Sequence, residues 1–279
     1  MADVGVVIAV RNEEGSILRV LDSLEGQTYP PDVVVVVDDG SQDGTARIVR
    51  DRVSRSKFEL TLVSLAHHQQ SFVGRPELAG VFNAGLSVIR GRTPLPRYVM
   101  ILGGDHALPS GYLAAIMSRM EADPRLAVAG GWIANEPYLE HAPRGSSMVV
   151  RTSFWNSAGA LSFPRRYGWE SWVYLKALAL GYDTRSYKDV PTSVSRKTSI
   201  TKGILYGRAM YALGYFWPYA LGRCFLFGVR SPPAGVRVCA GFFAHQGVQR
   251  QDVAEWVSRY QRKQLAGRMF RVATRLGRR

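Results

Sequence analysis

Residues 33–45 read VVVVVDDGSQDGT. Five consecutive β-branched residues predict a strand buried on both faces, the kind that lies inside a parallel sheet. The run then breaks into acid, glycine and hydroxyl, so the strand leaves the core straight into Asp38 and Asp39. Upstream, VGVVIAV at 4–10 predicts a second such strand, and Ile17, Leu18, Leu21 and Leu24 recur at helical spacing until TYPP stops the helix. Downstream, a short helix is expected over 45–53 and further strands over 60–65 and 97–102. Strands alternating with helices imply right-handed crossovers and a parallel α/β sheet. Ligands collect at the carboxyl ends of such strands, where RNEE (11–14) and DDGS (38–41) both fall. An acidic pair there can accept hydrogen bonds from nucleobase N–H groups and ribose hydroxyls. The other reading is a solvated turn that caps the next helix.

The chain has 279 residues, 46% of them hydrophobic, enough for one substantial α/β domain with an extension. Its net charge of +14 is unevenly spread. Residues 1–200 carry 22 Lys/Arg against 20 Asp/Glu, whereas 201–279 carry 14 against 2. The expected division is therefore a nearly neutral domain over 1–200 and a basic extension over 201–279. Cys224 and Cys239 match no metal-binding spacing and are expected as reduced thiols of a cytoplasmic protein. The first residues, MADVGVVIAVRNEE, show no basic leader followed by a long apolar run. No internal repeat or low-complexity tract is present.

Three linked segments, IAVRNEE (8–14), SLEGQTYP (23–30) and VVDDGSQDGT (36–45), resemble the family 2 glycosyltransferases, as does FNAGL (82–86) further on. The resemblance extends to about residue 190. It implies a GT-A fold, a Rossmann-like sheet flanked by helices, and transfer of a sugar from a nucleotide-diphosphate donor with inversion at the anomeric carbon. By the same resemblance Val10, Asn12, Glu13, Asp38, Asp39, Asn83 and Gly104 belong to the nucleotide site. The family's DxD motif, whose carboxylates hold Mg²⁺ or Mn²⁺ against the diphosphate, falls on GGD at 103–105. Gly103 replaces the first acid and Asp105 matches the second. His106 follows as a further candidate ligand, or as a loop hydrogen-bonding residue.

On the acceptor side the family's acidic pair reads Glu170-Ser171 here, which leaves Glu170 as the candidate general base unless it merely caps its helix. An acceptor whose attacking oxygen is an ionised lipid phosphate would need no strong base. Arg151, Arg165 and Arg166 are candidate acceptor-phosphate contacts, and Trp169 belongs to an aromatic group (with Phe154, Trp155 and Trp172) that could stack on sugar or pack in the core.

Residues 203–229 are strongly apolar but interrupted by Arg208, Pro218 and Arg223. The uncharged run from Ala209 to Gly222 falls short of the roughly 20 residues a spanning helix needs. An interfacial or re-entrant pair of helices is expected. At the C-terminus Leu265, Met269, Val272 and Leu276 form an apolar stripe beside Arg268, Arg271, Arg275 and Arg278, the pattern of a helix lying on anionic lipid. A helix packed on its own domain is the alternative. No nucleic-acid motif accompanies the charge. The expectation is a glycosyltransferase held peripherally at the cytoplasmic face of the cell membrane, using a nucleotide-diphosphate sugar and a lipid-linked phosphate or glycan acceptor. Gly103 and Ser171 equally suit a non-catalytic relative that binds nucleotide sugar or glycan.

Overall fold

The computed structural model describes residues 3–134, 136–194 and 203–276, with side chains through residue 266 apart from residue 230. Seven strands form one sheet in the order β3-β2-β1-β4-β6-β5-β7. They are β1 (Val4–Val10), β2 (Val33–Asp38), β3 (Glu59–Ser64), β4 (Tyr98–Gly103), β5 (Leu126–Ile133), β6 (Met148–Arg151) and β7 (Asp183–Thr192). Strands β1 to β4 pair in parallel. β6 runs antiparallel to both β4 and β5, so the sheet is mixed where an all-parallel one is expected from the alternating pattern. β5 and β7 then point the same way as β4.

The valine run is buried on both faces, as its composition requires. Val33, Val35 and Val37 join Val7, Val99 and Ile101 in one core, under α3 (Glu77–Arg90). Val34 and Val36 join Val6, Ile8 and Val10 in the other, under α1 (Ile17–Glu25) and α4 (Tyr112–Ala122). Each fully enclosed valine contributes roughly 1.5–3 kcal/mol of burial. Gly85 lets α3 sit tight on the sheet: a Cβ there would overlap Val7 Cγ1 and lie 2.8 Å from Val37 Cγ2.

The remaining helices are α2 (Thr45–Val53), α5 (Thr152–Gly159), α6 (Trp169–Ala179), α7 (Gly203–Ala212), α8 (Trp217–Arg230), α9 (Pro232–Phe243) and α10 (Ala254–Leu276). Helices α7, α8 and α9 pack backbone to backbone through glycine. A Cβ on Gly207 would lie 2.6 Å from Phe242 N, and one on Gly235 would lie 2.7 Å from Gly228 Cα. Leu213, Val253 and Val257 enter the same core as Trp169 and Trp172, which fastens the extension to α6. Asp252 reinforces that join, accepting from Trp172 Nε1–H at 2.6 Å and pairing with Lys176 at 2.5 Å. Among the described residues no helix is long and apolar enough to cross a membrane. The apolar stretch from residue 203 forms a pair of helices, α7 and α8, and α9 and α10 follow it. The C-terminal arginine and apolar stripes fall on side chains outside the described residues, apart from Leu265.

Candidate functional site

Register aligns the strand tips. Val10 lies opposite Asp38 and Ala9 opposite Gly103, so the loops after β1, β2 and β4 leave the sheet together. The first two loops are clasped. Asn12, at φ 53, donates its N–H to Ser41 Oγ (2.9 Å) and accepts from Gln42 N–H through Oδ1 (2.9 Å). Glu13 N–H donates to Thr45 Oγ1 (2.7 Å), and Gly44 N–H donates to Glu14 Oε2 (2.7 Å). The two sequence motifs therefore occur together because each satisfies the other's backbone. Asn12 and Glu13 support the crevice, their polar groups committed in part to this clasp.

The adjacent acids have different partners. Asp38 folds back to accept Ser41 N–H at 3.0 Å. Asp39 faces β3, where His68 Nε2 lies 2.9 Å from its Oδ1. Both carboxylates are buried, 4% exposed. Gly40, at φ 69, is required in the turn between them and β3: a Cβ would sit 2.7 Å from His67 Cα.

At the β4 tip Gly104 packs against β1, with a Cβ blocked by Val10 Cγ1 at 2.7 Å and Glu13 Cγ at 3.0 Å. The space where a side chain at 103 would begin is occupied: a Cβ there would lie 3.2 Å from Asp105 Oδ1 and 3.4 Å from Ser146 Oγ. Ser146 accepts Gly103 N–H at 3.0 Å and meets His106 Nδ1 at 2.7 Å. His106 is fully buried, and its Nε2 has no hydrogen-bond partner. Burial holds its pKa down to about 4 against the pull of Asp105 and Glu136, so the ring is neutral at neutral pH. Neutral imidazole is the form that ligates a metal. One half-buried carboxylate and one unpartnered imidazole nitrogen suit a hard divalent ion that takes its other oxygens from phosphate and water. Among the described residues no group of three or more His, Cys, Asp or Glu side chains is placed to hold an ion unaided.

Glu170 stands exposed in the first turn of α6, and a Cβ on Gly145 would lie 2.7 Å from its Oε2. Its carboxylate thus rests on the turn that carries Ser146 to Gly103 and His106. Tyr112 braces this turn, donating its hydroxyl to Ser147 O (2.7 Å) and accepting Gly131 N–H (2.8 Å). A cavity of about 370 Å³ opens beside the loop that follows β4, lined by Ala107, Leu108, Pro109, Ala134, Pro191, Thr192 and Ser193.

Three expectations need correction. Arg151 pairs in register with Tyr98, at the far end of β4 from Asp105, and its guanidinium donates to the carbonyls of Met120, Asp123 and Leu126. It is a structural clamp with no access to the acceptor side. Trp169 is 4% exposed and packs on Phe82 and Phe163 at centroid distances of 5.4 and 4.7 Å, so it is core and not a sugar platform. Asn83 spends its amide on one residue, donating to Phe163 O (2.9 Å) and accepting Phe163 N–H (2.7 Å). It anchors the segment before Glu170 and does not reach into a donor pocket. Arg166 donates to Arg250 O at 2.7 Å, while Arg165 is exposed and lies along Gly80 of α3. His68, Ser146 and Tyr112 complete the site and belong to no motif; a Gly-Ser pair just ahead of β6 is the one local signal for Ser146.

Strand-tip acids converging on one crevice of this sheet define a GT-A fold. The chain belongs to Glycosyl transferase family 2, whose sequence profile matches residues 5–180. It is 39% identical over 74 residues to the glycosyltransferase AglE of Haloferax volcanii, a match covering 26% of this chain and 24% of AglE. Among solved structures it is similar to the mannosyltransferase PcManGT from Pyrobaculum calidifontis in complex with GDP-Man and Mn²⁺. That match has a TM-score of 0.59 at 20% identity, over 88% of this chain and 72% of the other. It is also similar to S. aureus TarS 1–349 in complex with UDP-GlcNAc, with a TM-score of 0.54 at 18% identity, over 74% of this chain and 64% of the other.

Proposed function

We propose that this chain is an inverting, metal-assisted glycosyltransferase that moves a sugar from a nucleotide-diphosphate donor to a lipid-linked phosphate or glycan at an anionic membrane surface on the cytoplasmic side. The observation that carries the reading is the convergence of Asp39, Asp105 and Glu170 on one end of the sheet, through aligned strand tips and the Gly145–Ser146 turn. The nucleotide-sugar ligands of PcManGT and TarS agree with it.

Asp39 accepts a ring N–H of the base, and Gly104, packed tightly on Val10 and Glu13, keeps the loop after β4 close to β1 beside the nucleotide. Asp105 and His106 would hold a divalent ion, which would offset the charge of the leaving diphosphate. The acceptor oxygen forms a bond to the anomeric carbon as the bond from that carbon to the diphosphate breaks, its electron pair departing with the nucleoside diphosphate. Where the acceptor is a hydroxyl, its proton passes to Glu170. A phosphate oxygen arrives already ionised.

The extension supports the membrane half of the proposal. Trp217, Phe225, Leu226, Val229 and Val236 are 58–71% exposed on helices that also carry arginine. Glycine-mediated helix contacts are the kind used where apolar burial does not drive packing. A panel of UDP-, GDP- and dTDP-sugars assayed with Mn²⁺ and Mg²⁺ and a lipid extract tests the function. Turnover lost in Asp105→Ala and Glu170→Gln is the expected result. Donor binding without product from any combination would identify a non-catalytic nucleotide-sugar-binding relative instead.

A further inference from the structure

Residues 203–243 contain four arginines and neither an acid nor a lysine. Two of the four, Arg208 on α7 and Arg223 on α8, turn inward towards α6. Arg208 donates from Nη1 to Tyr167 Oη at 3.3 Å, with its guanidinium carbon 5.9 Å from that ring's centroid. Arg223 donates to Tyr206 Oη, with its guanidinium carbon 5.8 Å from that ring. Both are half-buried, and the Nε of each is enclosed with no hydrogen-bond partner. Among the described residues neither makes an ion pair with a carboxylate.

This arrangement adjoins the acceptor side of the site. Tyr167 immediately precedes Gly168, whose left-handed φ of 79 starts α6 and sets the direction of Glu170. Tyr174 lies four residues after Glu170, hence on the same face of that helix. Burial holds the Tyr174 hydroxyl above its ordinary pKa, while its hydrogen bond with Ser171 and the charges of Arg223 and Arg144 pull the other way. Arg144 is itself the neighbour of Gly145, on which the Glu170 carboxylate rests. Arg144 is ion-paired with Glu136, which leaves Arg208 and Arg223, among the described residues, as the cations without a carboxylate partner on this side of α6.

A buried N–H of a charged group left unsatisfied is uncommon and costly, and its remedy is an oxygen that only accepts. Guanidinium forks fit phosphate best among such groups. The helix that supplies Arg223 also presents Phe225 (71% exposed), Leu226 (60%) and Val229 (69%) to the outside, within the next two turns. Half-buried cations beside an exposed apolar face match a molecule with an anionic head and a hydrocarbon tail.

We propose that Arg208 and Arg223 form a subsite for the phosphate of an amphiphilic acceptor, with the tyrosines at 167, 174 and 206 as its walls. The word acceptor rests on the glycosyltransferase reading; the phosphate site itself does not. The test is calorimetric titration of the full chain with octyl phosphate, octanol, inorganic phosphate and UDP. It is run on the parent, on Arg208→Gln/Arg223→Gln, and on Arg223→Lys, with melting curves to verify folding.

The expected result is octyl phosphate binding that is at least tenfold tighter than that of octanol or inorganic phosphate. The double variant should lose at least tenfold for octyl phosphate alone, with UDP affinity unchanged within twofold. Arg223→Lys should fall between, because it keeps the charge and loses the fork. Undiminished octyl phosphate binding in the double variant overturns the proposal. So does inorganic phosphate binding as tightly as octyl phosphate, which would mark a free-anion site, or a loss confined to UDP, which would assign these arginines to the donor diphosphate. If the double variant does not fold, Arg223→Lys decides: an affinity for octyl phosphate equal to the parent's overturns it. Octyl phosphate binding intact with no transfer from any donor would instead count against the glycosyltransferase reading.

Discussion

His68 Nε2 and Asp39 Oδ1 meet at 2.9 Å across the tips of β3 and β2, and the partner on the other side of the ring fixes the chemistry of that contact. Arg11 Nη1 lies 2.7 Å from His68 Nδ1, and a guanidinium only donates. Nδ1 is therefore the acceptor and Nε2–H the donor, so the imidazole orients the Asp39 side chain. Phe72 stacks on the ring at 3.8 Å and keeps it in place. Asp39→Ala should weaken UDP or GDP binding by about tenfold or more, the worth of one hydrogen bond to a charged group. His68→Ala should weaken it by roughly threefold, since it releases the orientation and not the acceptor itself. Calorimetry on both variants checks this. Tighter nucleotide binding in His68→Ala would mean that the ring competes with the base.

Gly85 is the part of the FNAGL segment that the fold cannot replace. Gly85→Ala would force a methyl between Val7 and Val37, both fully buried on neighbouring strands. Overpacking of this kind costs about 1–3 kcal/mol. A lowered melting temperature with an unchanged metal preference is the expected outcome. An unchanged melting temperature would mean that α3 can lift off the sheet at no cost.

How far the sequence could be read depends on whether local chemistry or distant folding makes each feature. β1 and β2 were legible because valine on both faces admits one environment only. β5 (LAVAGGWI) dilutes its strand signal with Ala and Gly, and β7 is an irregularly paired edge strand whose charged residues read as loop. The antiparallel direction of β6 is encoded by no residue of its MVVR sequence. Asp39, Asp105 and Glu170 stand out in the sequence because they sit in ordered motifs that resemble those of the family. His68, Ser146 and Tyr112 lie 29 to 40 residues from the motif residues or turns they serve, so nothing local marks them. Arg151 and Trp169 misled for a related reason: a guanidinium on carbonyls and an indole in the core look no different in sequence from ligand-binding ones.

Ser146 joins the loop after β4 to the turn beneath Glu170, and its loss should be felt at both. Ser146→Ala strands Gly103 N–H and His106 Nδ1, at a cost of about 1–3 kcal/mol if water does not enter. Turnover should fall more than donor affinity does, because the variant loosens Asp105 relative to Glu170 while leaving Asp39 untouched. Equal loss of both would place Ser146 in the nucleotide site instead.

Acid should weaken the join between the extension and the glycosyltransferase domain. Burial pushes the Asp252 carboxyl up, but the hydrogen bonds from Lys176 and Trp172 outweigh it and hold the group below the usual carboxylate range. A depressed folded-state pKa stabilises above the unfolded value of about 3.9 and loses that contribution as pH falls through the folded value. Asp252→Asn should therefore lower the melting temperature at pH 7 and have little effect near pH 3. A difference that persists at pH 3 would show that the contact works through shape alone.

Membrane attachment should depend on the outer face of α8 more than on charge alone. Phe225 and Val229 share one face at a spacing of four and are 71% and 69% exposed, so burying both in the headgroup boundary would remove much apolar surface from water. Each such side chain contributes roughly 1.5–3 kcal/mol when fully buried. The double variant Phe225→Glu/Val229→Glu should lose flotation with phosphatidylglycerol vesicles at low and at moderate salt, while the parent should retain a salt-resistant fraction. Salt screens the arginines over a Debye length of about 8 Å at physiological strength but leaves apolar insertion intact. Flotation of the parent abolished by salt, together with an unaffected double variant, would assign the attachment to charge and leave this apolar face for a protein partner.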